Sequence, residues 1–390
     1  MPQLNKFGQD PRRPDGGAEV RSILEYWLDL ARKGRLHHVA LAAVNTDDQI
    51  GYHYGGTLGL EDRAQDALRS MWLELDAIQQ ARRLPPRDTS LGANFVEYPF
   101  FAGAPVNHDF LIWLVDAKMT MIRERAPPPL RVHFSHAELL DETGLNFLEN
   151  VFRPMLPLLG VMEDSIAKGG RHKPLYVPQD IVVASRSGEP VPRLDASPRA
   201  HYQTELFLRG RRPVTITTRE APHSPQRNSN MAAWLKFAQH LQAKGEEVVF
   251  VRDAYQATQA MPPGLCSYPA ASWVPDLRVA LYQHARCNML VANGPCGYGF
   301  FIPAPYIYFV NTERDLSYAP ANASWWQRAN GIAEGEQWPW ALPHQRLVWQ
   351  RDSYENICAA WEAMEPQLRT APDPPPYRAD PQELWRAAIA

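Results

Sequence analysis

Apolar residues recur along this chain with two periods that alternate in blocks. In EVRSILEYWLDLARKG, residues Ile23, Leu24, Trp27, Leu28 and Ala31 share one helical face. HHVALAAVNTDDQIGYHYGG then reads as two strands about an Asp-Asp turn, and DRAQDALRSMWLELDAIQQARR as a second helix. A small helix-hairpin-helix α+β module is therefore expected over 19–86, after a disordered stretch 1–18 and before the linker LPPRDTSLG.

From residue 92 the pattern becomes strand, helix, strand, which is the mark of parallel α/β architecture. ANFVEYPFF and LRVHFS read as strands, and DFLIWLVDAKMTMIRERA as a helix stopped by three prolines. LNFLENVFRPMLPLLG is expected as a helix interrupted at Pro154, and PLYVPQDIVVAS as one or two short strands. These segments make a first Rossmann-like domain over 92–205. A second, over 206–365, has strands in RPVTITTRE, EEVVFVRD, NMLVANG, APYIYFVN and RLVWQRD. Its helices are NMAAWLKFAQHLQAKG, closed by Gly245, DLRVALYQHAR, and SYENICAAWEAM, capped by Ser353. So regular an alternation implies a doubly wound sheet, and 366–390 is left as a Pro-rich tail with a terminal helix.

Open α/β sheets bind ligands beyond the carboxyl ends of their strands. Two loops leave strand ends there: one runs from Thr218 to Asn230, the other is Asn293-Gly294-Pro295-Cys296-Gly297-Tyr298-Gly299. Glycines let backbone approach a ligand, and amides opening a helix favour an anion. Arg219 and Arg227 add permanently charged forks suited to a diphosphate, and Asn228 or Ser229 is expected to cap the following helix. Each feature also has an ordinary reading, as a tight turn or as surface arginines.

Composition narrows the field. A net charge of -3 offers no general attraction to phosphate backbones, and the basic patch Arg209, Arg211, Arg212 is short, so no nucleic acid partner is expected. No apolar run reaches the roughly 18 residues of a membrane span, and the first residues lack an apolar leader, so the expected location is cytoplasmic, with no transmembrane segment. Cys266, Cys287, Cys296 and Cys358 form no CxxC pair, and neither a disulfide frame nor a metal site is expected. The 36 prolines, far above the usual share of about 5%, cluster between the periodic segments as at 85–86, 127–129 and 262–263. No glycine follows VTITTRE until Gly245, which removes the dinucleotide fingerprint and leaves Asp253 as a helix cap. Walker A, HExxH and GxSxG motifs are also missing.

With VTITTRE, AAWLKFAQHLQAKGEEVVFVRD, LYQHARCNMLVANGPCGYG and QRLVWQRDSYENI in this order, the chain resembles GT-B glycosyltransferases of the heptosyltransferase and fucosyltransferase kind over roughly residues 92–365. The module at 19–86 is similar in layout to small accessory modules of bacterial and phage proteins. The GT-B resemblance implies two Rossmann-like domains, with a nucleotide-diphosphate-sugar on the second and a saccharide, lipid or protein acceptor entering from the first. Arg219, Arg227, Asn228 and His223 would then face the diphosphate, with Asn293, Gly294, Pro295 and Gly297 lining the donor site. Ser272, Trp273 and Val274 would lie near the base. No metal and no separate cofactor is implied. Glycosyl transfer also needs a proton acceptor, for which the candidates are His108 and Asp109, with His223 a further one. Asp109 equally fits a helix N-cap. A catalytically silent binding or scaffold protein and a nucleotide-sugar 2-epimerase remain open alternatives.

Overall fold

The computed structural model describes residues 38–44, 50–56, 94–100, 107–164, 171–172, 178–222, 225–312 and 323–370. The chain divides into two compact units, Met1–Leu84 and Pro85–Ala390. In the first unit, β1 (His38–Val44) and β2 (Ile50–Gly56) pair antiparallel from His38 opposite Gly56 to Val44 opposite Ile50, as the apolar pattern predicts. The two helices expected beside this hairpin, and the disordered stretch 1–18, lie outside the described residues.

The second unit opens with β3 (Phe95–Pro99), α1 (Phe110–Arg123), β4 (Leu130–Ser135) and α2 (Glu142–Phe147). The interruption expected at Pro154 takes the form of a change in helix type. A π turn, Leu148–Phe152, precedes the single turn Arg153–Met155, and a 3-10 turn, Pro157–Leu159, ends on left-handed Gly160. A proline has no N–H for the regular ladder, and the wider turn before it accommodates the gap. Then come β5 (Val161–Glu163), β6 (Arg171–His172), α3 (Pro178–Arg186) and α4 (Pro198–Leu208). Strands β5-β4-β3-β6 form a parallel sheet in that order.

The expected strand in PLYVPQDIVVAS is corrected: residues 178–186 are helical. Pro178 opens the helix, Asp180 lies in its first turn and Arg186 in its last, which suits the helix dipole. Pro178, Ile181, Val182 and Ala184 are buried, so the β-branched run belongs to a helical face.

A second sheet follows. Its elements are β7 (Val214–Thr217), α5 (Met231–Ala243), β8 (Val248–Val251), β9 (Cys266–Ser267), α6 (Ala270–Trp273), α7 (Pro275–His284), β10 (Cys287–Val291), β11 (Tyr306–Phe309), α8 (Ala323–Asn330), β12 (Gln345–Val348) and α9 (Tyr354–Thr370). The strand order is β12-β11-β10-β7-β8-β9, all parallel. Every residue of β7, β8, β10 and β11 is buried, as expected of parallel strands covered on both faces. Gly245 (φ 83) ends α5, its N–H donating to the Gln242 carbonyl while Glu246 reaches back to Leu241. Ser353 caps α9, its Oγ accepting from Asn356 N at 3.2 Å.

The chain first builds outward from β7 through β8 to β9, then returns to the other side of β7 as β10 and continues through β11 to β12. Direction therefore reverses between β7 and β10. Diverging crossovers leave a crevice at such a point, beyond the carboxyl ends of the strands.

Candidate functional site

The loops after β7 and β10 flank this crevice. Asn293 joins them, since its Oδ1 accepts from Cys296 N at 2.9 Å and its Nδ2 points at the Thr218 carbonyl 3.5 Å away. Gly294–Phe301 then forms a 3-10 helix with Pro295 in its first turn. A Cβ on Gly294 would stand 2.9 Å from the Cβ of His108, on the loop before α1. The bare backbone at Gly294 thus admits the His108 side chain. Gly299 makes a similar approach to Leu290, at 2.5 Å, whereas a Cβ on Gly297 would meet only Leu111, at 3.8 Å.

In the other loop, Arg219 is 4% exposed. Its N–H donates to Ser229 Oγ at 2.8 Å and its Nη1 to Asn228 Oδ1 at 2.5 Å. Asn228 also brackets Ala221, accepting from its N–H at 3.0 Å and donating to its carbonyl at 2.9 Å. These bonds use both residues proposed as caps of α5, and the cap is instead Asn230, whose Oδ1 accepts from Ala233 N at 3.2 Å. Arg227, half-buried, ends a short 3-10 turn, Pro225–Arg227. His223 lies outside the described residues. Glu220 is paired with Arg252, whose Nε donates to it at 2.9 Å. Asp253 caps no helix; its Oδ2 accepts from Glu220 N at 3.3 Å, tying the end of β8 to this loop.

Trp273 and Val274 form an exposed apolar corner at the α6–α7 junction, 46% and 40% exposed, and Trp273 Nε1 donates to the Ala254 carbonyl at 3.2 Å. Next to Ala254, Tyr255 is 72% exposed. Ser272 faces inward, its Oγ buried and unpartnered among the described residues.

His108 and Asp109 separate. Asp109 is exposed and makes no side-chain cap to α1; Asn107 Oδ1 instead accepts from the Asp109 N–H at 2.7 Å. The His108 ring lies edge-on to Phe147 and Tyr298, with centroids 5.6 and 6.0 Å away, and its buried Nδ1 has no partner among the described residues. Burial, and secondly the charge of Arg278, push the imidazole down to about 3, so His108 is neutral at ordinary pH.

Arg278 is the residue that sequence reasoning missed. Within DLRVALYQHAR it looks like an ordinary polar position on a helix. Packed in place it is 4% exposed, and its Nε and Nη2 donate to the carbonyls of Ala271 and Ser272 at 2.8 and 3.2 Å. It also reaches the Tyr282 hydroxyl, which bonds Thr217 Oγ1 at 2.8 Å, so the guanidinium sits by the end of β7. Burial raises the phenol of Tyr298 and pushes the Cys296 thiol up to about 12, while Arg278 opposes both shifts. Cys296 is therefore a protonated, buried filler.

Among the described residues no group of three or more His, Cys, Asp or Glu could hold a metal ion, and no helix is long and apolar enough to cross a membrane. No protein-family model and no curated protein matches the chain. Several solved structures resemble it at low identity. A glycosyl transferase family 9 protein from Veillonella parvula has 10% identity and a TM-score of 0.39, covering 71% of this chain and 98% of its own. The ADP-heptose lps heptosyltransferase II of E. coli has 11% identity and a TM-score of 0.35, covering 71% and 77%. The iron-containing heptosyltransferase TibC, a dodecamer solved with ADP-D-beta-D-heptose, has 15% identity and a TM-score of 0.39, covering 71% and 78%.

Proposed function

We propose that this chain transfers a sugar from a nucleotide-diphosphate-sugar, held at the β7/β10 reversal, to a hydroxyl of a saccharide, lipid or protein. The observation that carries the reading is the reversal itself, with Asn293 linking its two loops and His108 of the first half packed on Gly294 of the second. In this reading the donor and acceptor meet at that crevice. Asn293, Gly294, Pro295 and Gly297 form one wall. The loop with Arg219, Arg227 and Asn228 forms the other, and Ser272, Trp273 and Val274 offer an edge for the base.

In the reaction, the acceptor oxygen attacks the anomeric carbon while the bond from that carbon to the diphosphate oxygen breaks. The acceptor proton passes to a base, and the electron pair leaves with the diphosphate. Fixed cationic groups aimed at the departing oxygens stabilise that charge without reorganising; arginines rather than a metal supply them in this reading. Asp109, exposed at the start of α1, is the proton acceptor at hand, whereas the imidazole of His108, held at about 3, accepts a proton only weakly.

A ligand that binds only the folded state raises its melting temperature, by about 2.7 kcal/mol of stability at 100 times its dissociation constant. UDP, GDP or ADP, or their sugar conjugates, are expected to raise the melting temperature of the full chain. If none does at millimolar concentration, the donor reading is wrong.

A further inference from the structure

Gly294 is exposed, yet one side of its backbone is already covered. A Cβ built there would lie 2.9, 3.1 and 3.2 Å from Cβ, Cδ2 and Cγ of His108, so the imidazole rests against the Gly294 Cα. Glycine admits a ligand to its backbone only where the space left by the missing Cβ is open. While the ring lies there, that space is taken.

The backbone of His108 is anchored and its ring is not. His108 O accepts from Leu111 N at 3.1 Å where α1 begins. The ring meets Phe147 and Tyr298 edge-on, and its buried Nδ1 makes no hydrogen bond among the described residues. A buried polar atom without a partner is unfavourable, so turning the ring into water recovers a hydrogen bond in exchange for aromatic contacts. His108 is only half-buried, which leaves solvent within reach of a rotation about its side-chain torsions.

We propose that His108 is an autoinhibitory plug: in the free protein its side chain covers the Gly294 backbone, and a ligand reaches that backbone only after the ring has turned away about its anchored Cα. The nature of the ligand rests on the nucleotide reading above, but the covered glycine does not. A protein whose binding-competent state is populated by about one molecule in ten binds about 10-fold more weakly than the open state alone. Removing the plug removes that loss.

The test is calorimetric titration of the full chain with UDP, GDP and ADP, using wild type, His108→Ala and His108→Phe. The alanine uncovers Gly294, whereas the phenylalanine keeps a ring over it and removes only the ring nitrogens. His108→Ala is expected to bind at least one of the three nucleotides about 10-fold more tightly than wild type, and His108→Phe no more tightly. Equal or weaker affinity in His108→Ala overturns the plug and leaves the nucleotide reading standing, as does a gain shared by both variants. No binding of any nucleotide by any of the three proteins overturns both. Should His108→Ala not fold, the wild-type ring decides. Covered, it is held at about 3 by burial and secondly by Arg278; in water it would titrate near its ordinary value of about 6.5. In an NMR pH titration the His108 ring signals are expected to stay unshifted from about pH 5 to 8 in the free chain and to titrate in that window at saturating nucleotide. A ring that titrates there in the free chain, or stays silent with nucleotide bound, overturns the plug.

Discussion

At the scale of single residues, Gly294 separates two demands that glycine meets. Its φ lies outside the left-handed region, and what a Cβ would meet is the Cβ and ring of His108 at 2.9 to 3.2 Å. Gly294→Ala therefore forces His108 aside, and overpacking of this kind costs about 1–3 kcal/mol. Gly297→Ala, with 3.8 Å to Leu111, is expected to melt within about 0.5 kcal/mol of wild type, as most benign substitutions do. Parallel thermal melts check the pair; equal losses would mean that the contact with His108 sets nothing. The glycine loop was legible in the sequence because Gly, Pro and Asn carry their backbone preferences with them. The neighbour that requires Gly294 was not, because His108 is nearly two hundred positions away. Arg278 was illegible for a related reason: a polar residue on a helix reads as solvated until every side of that helix is known to be covered. Arg219 was legible as chemistry but not as geometry, since its hydrogen bond to Asn228 depends on how the loop folds back.

At the scale of elements, α7 is a helix enclosed on nearly all sides, with Arg278, Tyr282, Gln283 and His284 all buried. It meets α4 through a histidine pair, His201 Nδ1 to His284 Nε2 at 3.1 Å. Asp195 lies 3.8 Å from His201 and Glu205 lies 3.5 Å from His284. Burial nonetheless dominates, lowering His201 and holding His284, also next to His201, at about 4. Above about pH 6.5, the ordinary value for histidine, both are neutral folded or unfolded, and the pairing contributes in full. Between that value and about 4 the unfolded chain binds protons that the native state refuses, so stability falls as pH falls. The melting temperature is expected to drop across this window, and His284→Gln, which cannot titrate, to flatten the drop. An unchanged slope would exonerate the pair. The sequence showed α7 plainly through its apolar spacing. It did not announce α4, whose PRAHYQTELFL is mostly polar or half-buried, and it disguised α3 as strand because Ile181, Val182 and Val183 are β-branched.

At the scale of the whole molecule, parallel strands alternating with helices were readable from period and turn residues alone. The strand order was not, because one sequence shows which segments are strands but not which become neighbours. That order decides where the crevice lies. β7 pairs with β8 through a single crossover, but its other neighbour, β10, is far along the chain; Thr215 Oγ1 bonds Asn288 Oδ1 at 2.6 Å across a separation of 73 residues. Closing a long loop has an entropic cost that must be met before its contacts are gained, so distant pairings tend to form late. The two walls of the crevice are therefore expected to meet late in folding, which leaves a ligand between them little to hold in the folding transition state. Interactions absent from that state act on unfolding alone. In stopped-flow chevrons, a saturating nucleoside diphosphate that raises the melting temperature is expected to slow unfolding and leave the refolding rate unchanged, whereas faster refolding would mean that the crevice is assembled early. The reversal between β7 and β10 would thus make the donor a lock on the finished molecule rather than a template for making it, and the time the native state survives would track how much of the ligand is present.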